Sequence, residues 1–355
     1  MRLLGFFKKK WVFKRNNKVD LLIFDDPPVF FDFRKINYAV YKNDEINIFY
    51  LLKGLLILIK LREKNLKNLS NIYFKLMINA YDPILTLGKD RFGKILKFSE
   101  LFPKRKKIFY EWAYTFQEQI LITQLLIKGY SKKFSLDYLK KPFQKKLKKV
   151  QGPDFYLTYD KRSKKFIEKI YKTKFLVTGS VRNNERKTEY FKKKYDFMFI
   201  SNYRPKPLSN NLRFNKINKF IACTIFAIKN LSDYCEENNK KLCIALASNR
   251  EEKRYKKSKL REEELNFYHK HTKNFYIEDL DSYNLANKSK MIVCTHSNLG
   301  YEFLARKKKI FFVNTLKNFN WHFLNKKNSN FFYKGNNDNE YKKRLSSFSK
   351  ISERK

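Results

Sequence analysis

Apolar runs alternate with segments of helical periodicity along the second half of the chain. The runs show little polar alternation, which is typical of strands buried on both faces of a parallel sheet. Between them, apolar residues recur at the spacing of amphipathic helices. The predicted strands are residues 195–201, 241–247, 274–277, 290–295 and 309–313, and the predicted helices are 212–234, 260–270, 281–289 and 299–306. This order predicts a doubly wound parallel sheet.

The first half shows the same alternation less clearly. Its strand candidates are residues 19–25, 83–88, 106–112, 154–160 and 174–180, and its helix candidates are 48–62, 69–80, 114–128 and 161–171. We therefore expect a second α/β sheet. The predicted fold class is α/β, with two Rossmann-like doubly wound domains facing a central cleft, because ligands of open sheets bind at the carboxyl ends of the strands.

A polar, charged segment at residues 181–194 separates the two patterns and is the predicted linker. The chain then divides into a first domain at 1–180, a second at 195–320, and a C-terminal tail with a closing helix at 321–355. With 355 residues, the chain is long enough for two domains that each bury a core.

Charge adds a candidate partner without deciding the function. Lys and Arg number 79 against 34 Asp and Glu, a net charge of +45, which favours nucleic acid or anionic lipid as partner. The abundance of Lys, Asn, Ile, Phe and Tyr is also what an AT-rich genome imposes on any protein. The basic residues are spread along the chain and no nucleic-acid-binding signature occurs, which argues against nucleic acid as the partner.

Cysteine and acidic spacings give no metal site. Cys223, Cys235, Cys243 and Cys294 form no C-x-x-C pair, which predicts reduced, buried thiols. Asp279-Leu-Asp281 has the spelling of a metal-binding DxD motif, but Asp281 directly precedes a predicted helix and is better explained as its N-cap. We therefore expect neither a metal nor another cofactor.

The segment 290–314 carries the most informative chemistry. A buried strand ends at Thr295, a polar turn follows, and a helix begins near residue 299. Backbone amides at this helix start, with Ser297 and Asn298, would hold nucleotide phosphates, Gly300 would allow close approach of a ligand, and Glu302 would accept hydrogen bonds from ribose hydroxyls. The alternative is that Ser297 is only the helix N-cap and Glu302 only an acid favoured by the helix dipole.

Three further residues are candidates at strand ends. Arg250 follows the strand at 241–247, where its guanidinium would bind a diphosphate or simply remain solvated. All four histidines lie in the second half, so a general base in the first domain would have to be a carboxylate. Asp90 and Glu111 are best placed for this role, and a structural salt bridge is the alternative for both.

The order of these motifs resembles GT-B glycosyltransferases, and most closely the surface carbohydrate biosynthesis proteins first named in Leptospira. The resemblance covers roughly residues 150–345. It rests on T-x-S-x-L-G-Y-E at 295–302, TGSVRNN at 178–184, FMFISNYR at 197–204 and FFYKGNNDNEYKKRL at 331–345. His296 and Asn298 depart from the family pattern, where an acid and a Ser or Thr are usual.

This resemblance implies a metal-independent glycosyltransferase of surface polysaccharide synthesis. The second domain would bind the nucleotide-activated sugar donor, and the first would present a glycan or lipid-linked acceptor. Polyol-phosphate transfer on the same scaffold, a non-catalytic nucleic-acid-binding protein and a degenerate transferase-like scaffold remain alternatives.

The N-terminal residues suggest where the protein acts. No signal peptide or transmembrane helix is expected, so the predicted location is cytoplasmic. Aromatic residues interleave with basic ones near the N-terminus, which is typical of contact with an anionic membrane. The residues are Phe6, Phe7, Lys8, Lys9, Lys10, Trp11, Phe13, Lys14 and Arg15. Peripheral association with the inner membrane face is therefore a hypothesis, and an ordinary solvated N-terminus is its alternative.

Overall fold

The computed structural model describes most of the chain as two compact units, Met1–Arg186 and Lys187–Lys355. The described residues are 10–24, 35–41, 45–62, 67–89, 102, 104–111, 149–168, 171–180, 183, 191–203, 213–247, 259–295, 297–315 and 330–351. The predicted helix at 114–128 lies outside them.

Unit 1 contains a six-stranded, all-parallel sheet. The strands of unit 1 are β1 (Lys10–Val12), β2 (Leu21–Phe24), β3 (Tyr38–Tyr41), β4 (Glu45–Asn47), β5 (Leu85–Lys89), β6 (Lys106–Tyr110), β7 (Val150–Thr158) and β8 (Tyr171–Val177). The helices of unit 1 are α1 (Ile48–Lys60), α2 (Lys67–Tyr81) and α3 (Lys161–Ile167). The sheet order is β3-β2-β5-β6-β7-β8, and β1 and β4 form a separate parallel pair.

Unit 2 contains a five-stranded parallel sheet in the order β10-β9-β11-β12-β13. Its elements are β9 (Tyr195–Ile200), α4 (Arg213–Glu237), β10 (Leu242–Ala245), α5 (Lys259–His271), α6 (Ser282–Lys288), β11 (Ser289–Cys294), α7 (Asn298–Ala305), β12 (Ile310–Asn314), β13 (Phe332–Lys334) and α8 (Asp338–Lys350).

Both faces of the unit 2 sheet are covered by helices. Phe199 of β9 lies in a buried cluster with Leu231 of α4 and Tyr341 of α8. The neighbouring Met198 points to the opposite face, in a cluster that includes Phe303 of α7. A sheet buried on both sides explains why its strands lack polar alternation. The α/β fold with two Rossmann-like units of parallel strands is thus confirmed.

Two predictions for unit 2 were wrong. Residues 274–277 form no strand, because only Tyr276 pairs with β10, through a single bridge to Cys243 at the sheet edge. The fifth strand is instead β13, which lies in the segment predicted as a tail and pairs in parallel with β12. Residues 332–350 therefore complete the second sheet and its helical layer.

The cysteine prediction is confirmed, since all four thiols are free and buried. Among the described residues, no helix combines the length and apolar character needed to cross a bilayer.

Candidate functional site

The strand order of unit 2 defines one crevice at the carboxyl edge of its sheet. From β9 the chain passes first to β10 on one side and later to β11 on the other. The connections leaving β9 and β11 therefore diverge to opposite faces, and ligands of doubly wound sheets bind at such a switch point.

Two polar side chains meet at this crevice. Asn202 follows β9 by two residues, Thr295 follows β11 directly, and the Asn202 amide donates a hydrogen bond of 3.0 Å to Thr295 Oγ1. Thr295 is buried and Asn202 is half-buried. Thr295 therefore positions Asn202, and the half-buried Asn202 side chain is the member of the pair that can contact a polar ligand.

A buried network fixes the ends of the strands beside this pair. Glu264 of α5 accepts hydrogen bonds from the Ser201 hydroxyl and, at 2.8 Å, from the backbone N–H of Ala247. The Tyr268 hydroxyl donates to Ser201 Oγ at 2.8 Å, and burial raises the pKa of Tyr268. The network ties α5 to the segments that follow β9 and β10, so it holds Asn202 in place.

The helix α7 begins at the same edge of the sheet. Ser297 is its N-cap, with extended backbone angles and a side chain that accepts from the N–H of Leu299 at 3.3 Å. Asn298 is the first helical residue and is half-buried. The positive end of the helix dipole thus lies at the switch point, where it favours an anionic group.

Gly300 faces the sheet. A Cβ at this position would lie 2.8 Å from Cys294 Sγ and 2.9 Å from Phe312 Cε1. Only glycine therefore allows α7 to lie this close to β11 and β12, as expected of a glycine that serves helix–strand packing. Its position gives no support to the prediction that Gly300 lets a ligand approach. The contacting Cys294 thiol is inert, because burial raises its pKa to about 12.

Glu302 is also turned toward the interior. Its carboxylate is buried and accepts a hydrogen bond from the Tyr283 hydroxyl of α6. The Tyr283 ring packs edge-on against Phe303, and the Arg306 guanidinium lies 5.4 Å from the ring centroid. The hydrogen bond between Tyr283 and Glu302 ties α6 to α7. It does not test the ribose contact predicted for Glu302, which stays a prediction.

Glu111 occupies the equivalent edge in unit 1, directly after β6. Its side chain is buried, with one oxygen accepting from the backbone N–H of Tyr159 at 2.9 Å and the other from the Ser163 hydroxyl at 3.2 Å. Both oxygens therefore hold the turn between β7 and α3, which is a structural role. The sequence alone offered Glu111 as a candidate general base, with a structural salt bridge as the alternative. The other candidates, Asp90 and Arg250, lie outside the described residues.

The acidic pair at 279–281 is engaged in other contacts. Asp281 is the N-cap of α6, accepting from the N–H groups of Tyr283 and Asn284. Asp279 forms an ion pair with Arg261 at 2.6 Å. Within the described part of the chain, no group of three or more His, Cys, Asp or Glu side chains is arranged to hold a metal ion.

Sequence reasoning missed Asn202, Glu264 and Tyr268. Asn202 carries the one available signal, because it follows a buried strand by two residues and so lies at the ligand-binding edge. Glu264 and Tyr268 lie in an ordinary charged helix, and nothing in their spacing marks them as buried.

The two units and this crevice define a class of protein with Rossmann-like α/β halves, the building blocks of the GT-B architecture. Residues 139–341 match the sequence profile of a family described as "putative O-antigen biosynthesis protein". The match covers more than half of the chain, so this chain belongs to that family, in agreement with the leptospiral resemblance.

Two solved structures resemble the chain weakly along its length. One is a "putative UDP-N-acetylglucosamine 2-epimerase" from Listeria monocytogenes, with 8% identity and a TM-score of 0.48 over 93% of this chain and 88% of the other. The second is the UDP-GlcNAc 2-epimerase of Methanocaldococcus jannaschii, with 10% identity and a TM-score of 0.48 over 95% and 94%. No curated protein matches the chain by sequence.

Proposed function

We propose that this protein is a glycosyltransferase of the GT-B type, which transfers a sugar from a nucleotide-activated donor to a glycan or lipid-linked acceptor. Membership in an O-antigen biosynthesis family supports a role in surface polysaccharide synthesis. The observation that carries the proposal is the crevice between β9 and β11, where Asn202, Thr295 and the start of α7 lie at one edge of the sheet.

The donor diphosphate would bind at this crevice. The N-terminal end of α7 offers a positive dipole to the phosphates, and the half-buried Asn202, positioned by Thr295, offers a neutral polar group next to it. These groups would stabilise the charge that develops on the leaving diphosphate as the bond to the sugar breaks. Arg250, which follows β10 in the sequence, would add a guanidinium to this site.

The base that deprotonates the acceptor hydroxyl would come from unit 1. Glu111 is less suited to this role, because its two oxygens already accept hydrogen bonds from Tyr159 and Ser163. We therefore favour Asp90, which follows β5 in the sequence, as the general base.

The nucleotide site is tested by calorimetric titration with a panel of nucleoside mono- and diphosphates. We expect Asn202→Ala to weaken binding of the preferred diphosphate about tenfold or more, because a hydrogen bond to a charged group is worth about 1.5 to 3 kcal/mol. Ser297→Ala should also weaken binding, because the start of α7 would lose its cap.

The matched control is Asn337→Ala, which removes the cap of α8 in the same unit. It should reduce stability without changing nucleotide affinity. Unchanged binding by both Asn202→Ala and Ser297→Ala would place the nucleotide elsewhere, and a preference for nucleic acid polymer over nucleotide would favour the alternative of a nucleic-acid-binding protein.

We further predict that transfer needs no divalent metal, because both acids of the DxD spelling are committed to a helix cap and an ion pair. Activity is measured in excess chelator, with magnesium or manganese added back. Retained activity is expected. Loss of activity in chelator, restored by either metal, would contradict the prediction. A product that carries a polyol phosphate would show that the transferred group is a polyol phosphate and not a sugar.

A further inference from the structure

The outer face of α1 in unit 1 is apolar and exposed. Leu52, Leu56 and Ile59 are 52%, 60% and 71% exposed, respectively. Their spacing of four and three residues places them on one side of the helix. Exposed leucine and isoleucine at successive turns form a continuous stripe, whereas scattered single residues would need no explanation.

The opposite side of α1 already has its packing partners. Tyr50, Gly54 and Leu58 are buried there. A Cβ on Gly54 would lie 3.2 Å from Leu69 of α2, so the two helices are in close contact. The exposed stripe is therefore a second apolar face, beyond the one that folding of the unit requires.

Aromatic residues extend this stripe beyond the helix. Phe13 is 72% exposed and packs edge-on against Phe49, with ring centroids 6.0 Å apart. The Arg15 guanidinium lies 5.3 Å from the centroid of the Phe49 ring. We call the set of Phe13, Phe49, Leu52, Leu56 and Ile59 the α1 face.

The charged residues in the two segments that form the α1 face, 13–15 and 46–62, are all cations. Because successive residues are rotated by about 100°, Lys60 and Lys53 lie next to Phe49 on the circumference of the helix. Both lysines are exposed, and so are Lys14 and Arg15 beside Phe13. No Asp or Glu occurs between Ile46 and Arg62. An apolar stripe with a basic border is the pattern of a helix that lies in the interface of an anionic bilayer.

We propose that the α1 face docks unit 1 on an anionic lipid surface. The apolar side chains would enter the headgroup region while Lys53, Lys60 and Arg15 meet lipid phosphates. With 13 residues the helix is about 20 Å long, too short for the roughly 30 Å of a bilayer core, so it would lie along the surface. Membrane contact would thus extend well beyond residues 1–15 and does not depend on the glycosyltransferase proposal.

The test is sedimentation of the full chain with vesicles of phosphatidylcholine, with and without phosphatidylglycerol, at low and high salt. We expect binding to the anionic vesicles, weakened by salt. The triple variant Leu52→Gln, Leu56→Gln, Ile59→Gln should bind at least about tenfold more weakly, because it removes most of the apolar insertion. Lys53→Glu with Lys60→Glu should weaken anionic binding and reduce its salt dependence.

The control is Ile84→Gln with Leu176→Gln, which removes two exposed apolar residues of unit 1 outside the α1 face. It should bind as the parent does. The proposal is overturned if the parent does not bind anionic vesicles, or if it binds neutral vesicles as strongly as anionic ones. It is also overturned if the triple variant binds anionic vesicles as strongly as the parent does. Light scattering that finds a dimer abolished by the triple variant, without vesicle binding, would assign the face to self-association.

Discussion

At the scale of single residues, one hydrogen atom determines how closely α7 approaches the sheet. The side chain of Gly300 is that atom, and Cys294 and Phe312 occupy the space where a methyl group would be. A glycine within a helix lowers helix propensity by about 1 kcal/mol relative to alanine. Close packing therefore outweighs propensity at this position.

Gly300→Ala should lower the free energy of unfolding of unit 2 by about 1 to 3 kcal/mol, because the added methyl overpacks the contact with β11 and β12. Urea unfolding followed by circular dichroism measures this change. The matched control is Gly54→Ala in α1, where the nearest atom, Leu69 Cδ1 at 3.2 Å, ends a side chain that can move. The control should be neutral or slightly stabilising, and equal behaviour of the two variants would contradict the packing argument.

At the scale of elements, burial decided which predictions succeeded. β9 and β11 are mainly apolar, are buried along nearly their whole length and lie inside the sheet, so their patterns predicted them well. Residues 274–277 have a comparable apolar pattern, but they lie at the sheet edge, where only Tyr276 finds a pairing partner. β13 (Phe332–Lys334) has only three residues, which are too few to show a period.

Glu278 links the start of β9 to α6 in unit 2. Its carboxylate accepts hydrogen bonds from Lys194 and Tyr195, and from Lys288 of α6 at 2.9 Å. The hydrogen bond from the Lys194 ammonium is the main cause that lowers the pKa of Glu278 from 4.5 to about 2. A folded-state pKa below the unfolded-state value means that ionised Glu278 stabilises the fold above pH 4.5.

This stabilisation should disappear as the pH falls from about 4.5 to about 2. Glu278→Gln should therefore be less stable than the parent near neutral pH, and the difference should shrink through that window. Thermal midpoints measured across the window test this prediction. Asp279→Asn, which removes an 80% exposed partner of Arg261, is the control and should leave the acid dependence unchanged. A constant difference between Glu278→Gln and the parent would show that the ion pairs do not couple to folding.

At the scale of the whole molecule, the two parallel sheets could be predicted because each repeats a simple alternation of strand and helix. The candidate site could be predicted only in part. Ser297 and Asn298 lie next to a recognisable strand end, but Asn202 and Thr295 are 93 residues apart and meet only through the strand order. Buried polar residues such as Glu264 and Glu111 look like surface acids in a sequence with this much charge.

The position of β13 has a consequence for biosynthesis. Unit 1 can assemble its sheet as soon as residue 177 has left the ribosome, but unit 2 waits until residues 332–350 have been made. A chain stopped after Asn314 would present β12 as an open edge, whose unpaired backbone groups can template pairing with another nascent chain. Until β13 and α8 have been made, protection of the second unit from aggregation therefore depends on any chaperone that covers the open edge of β12.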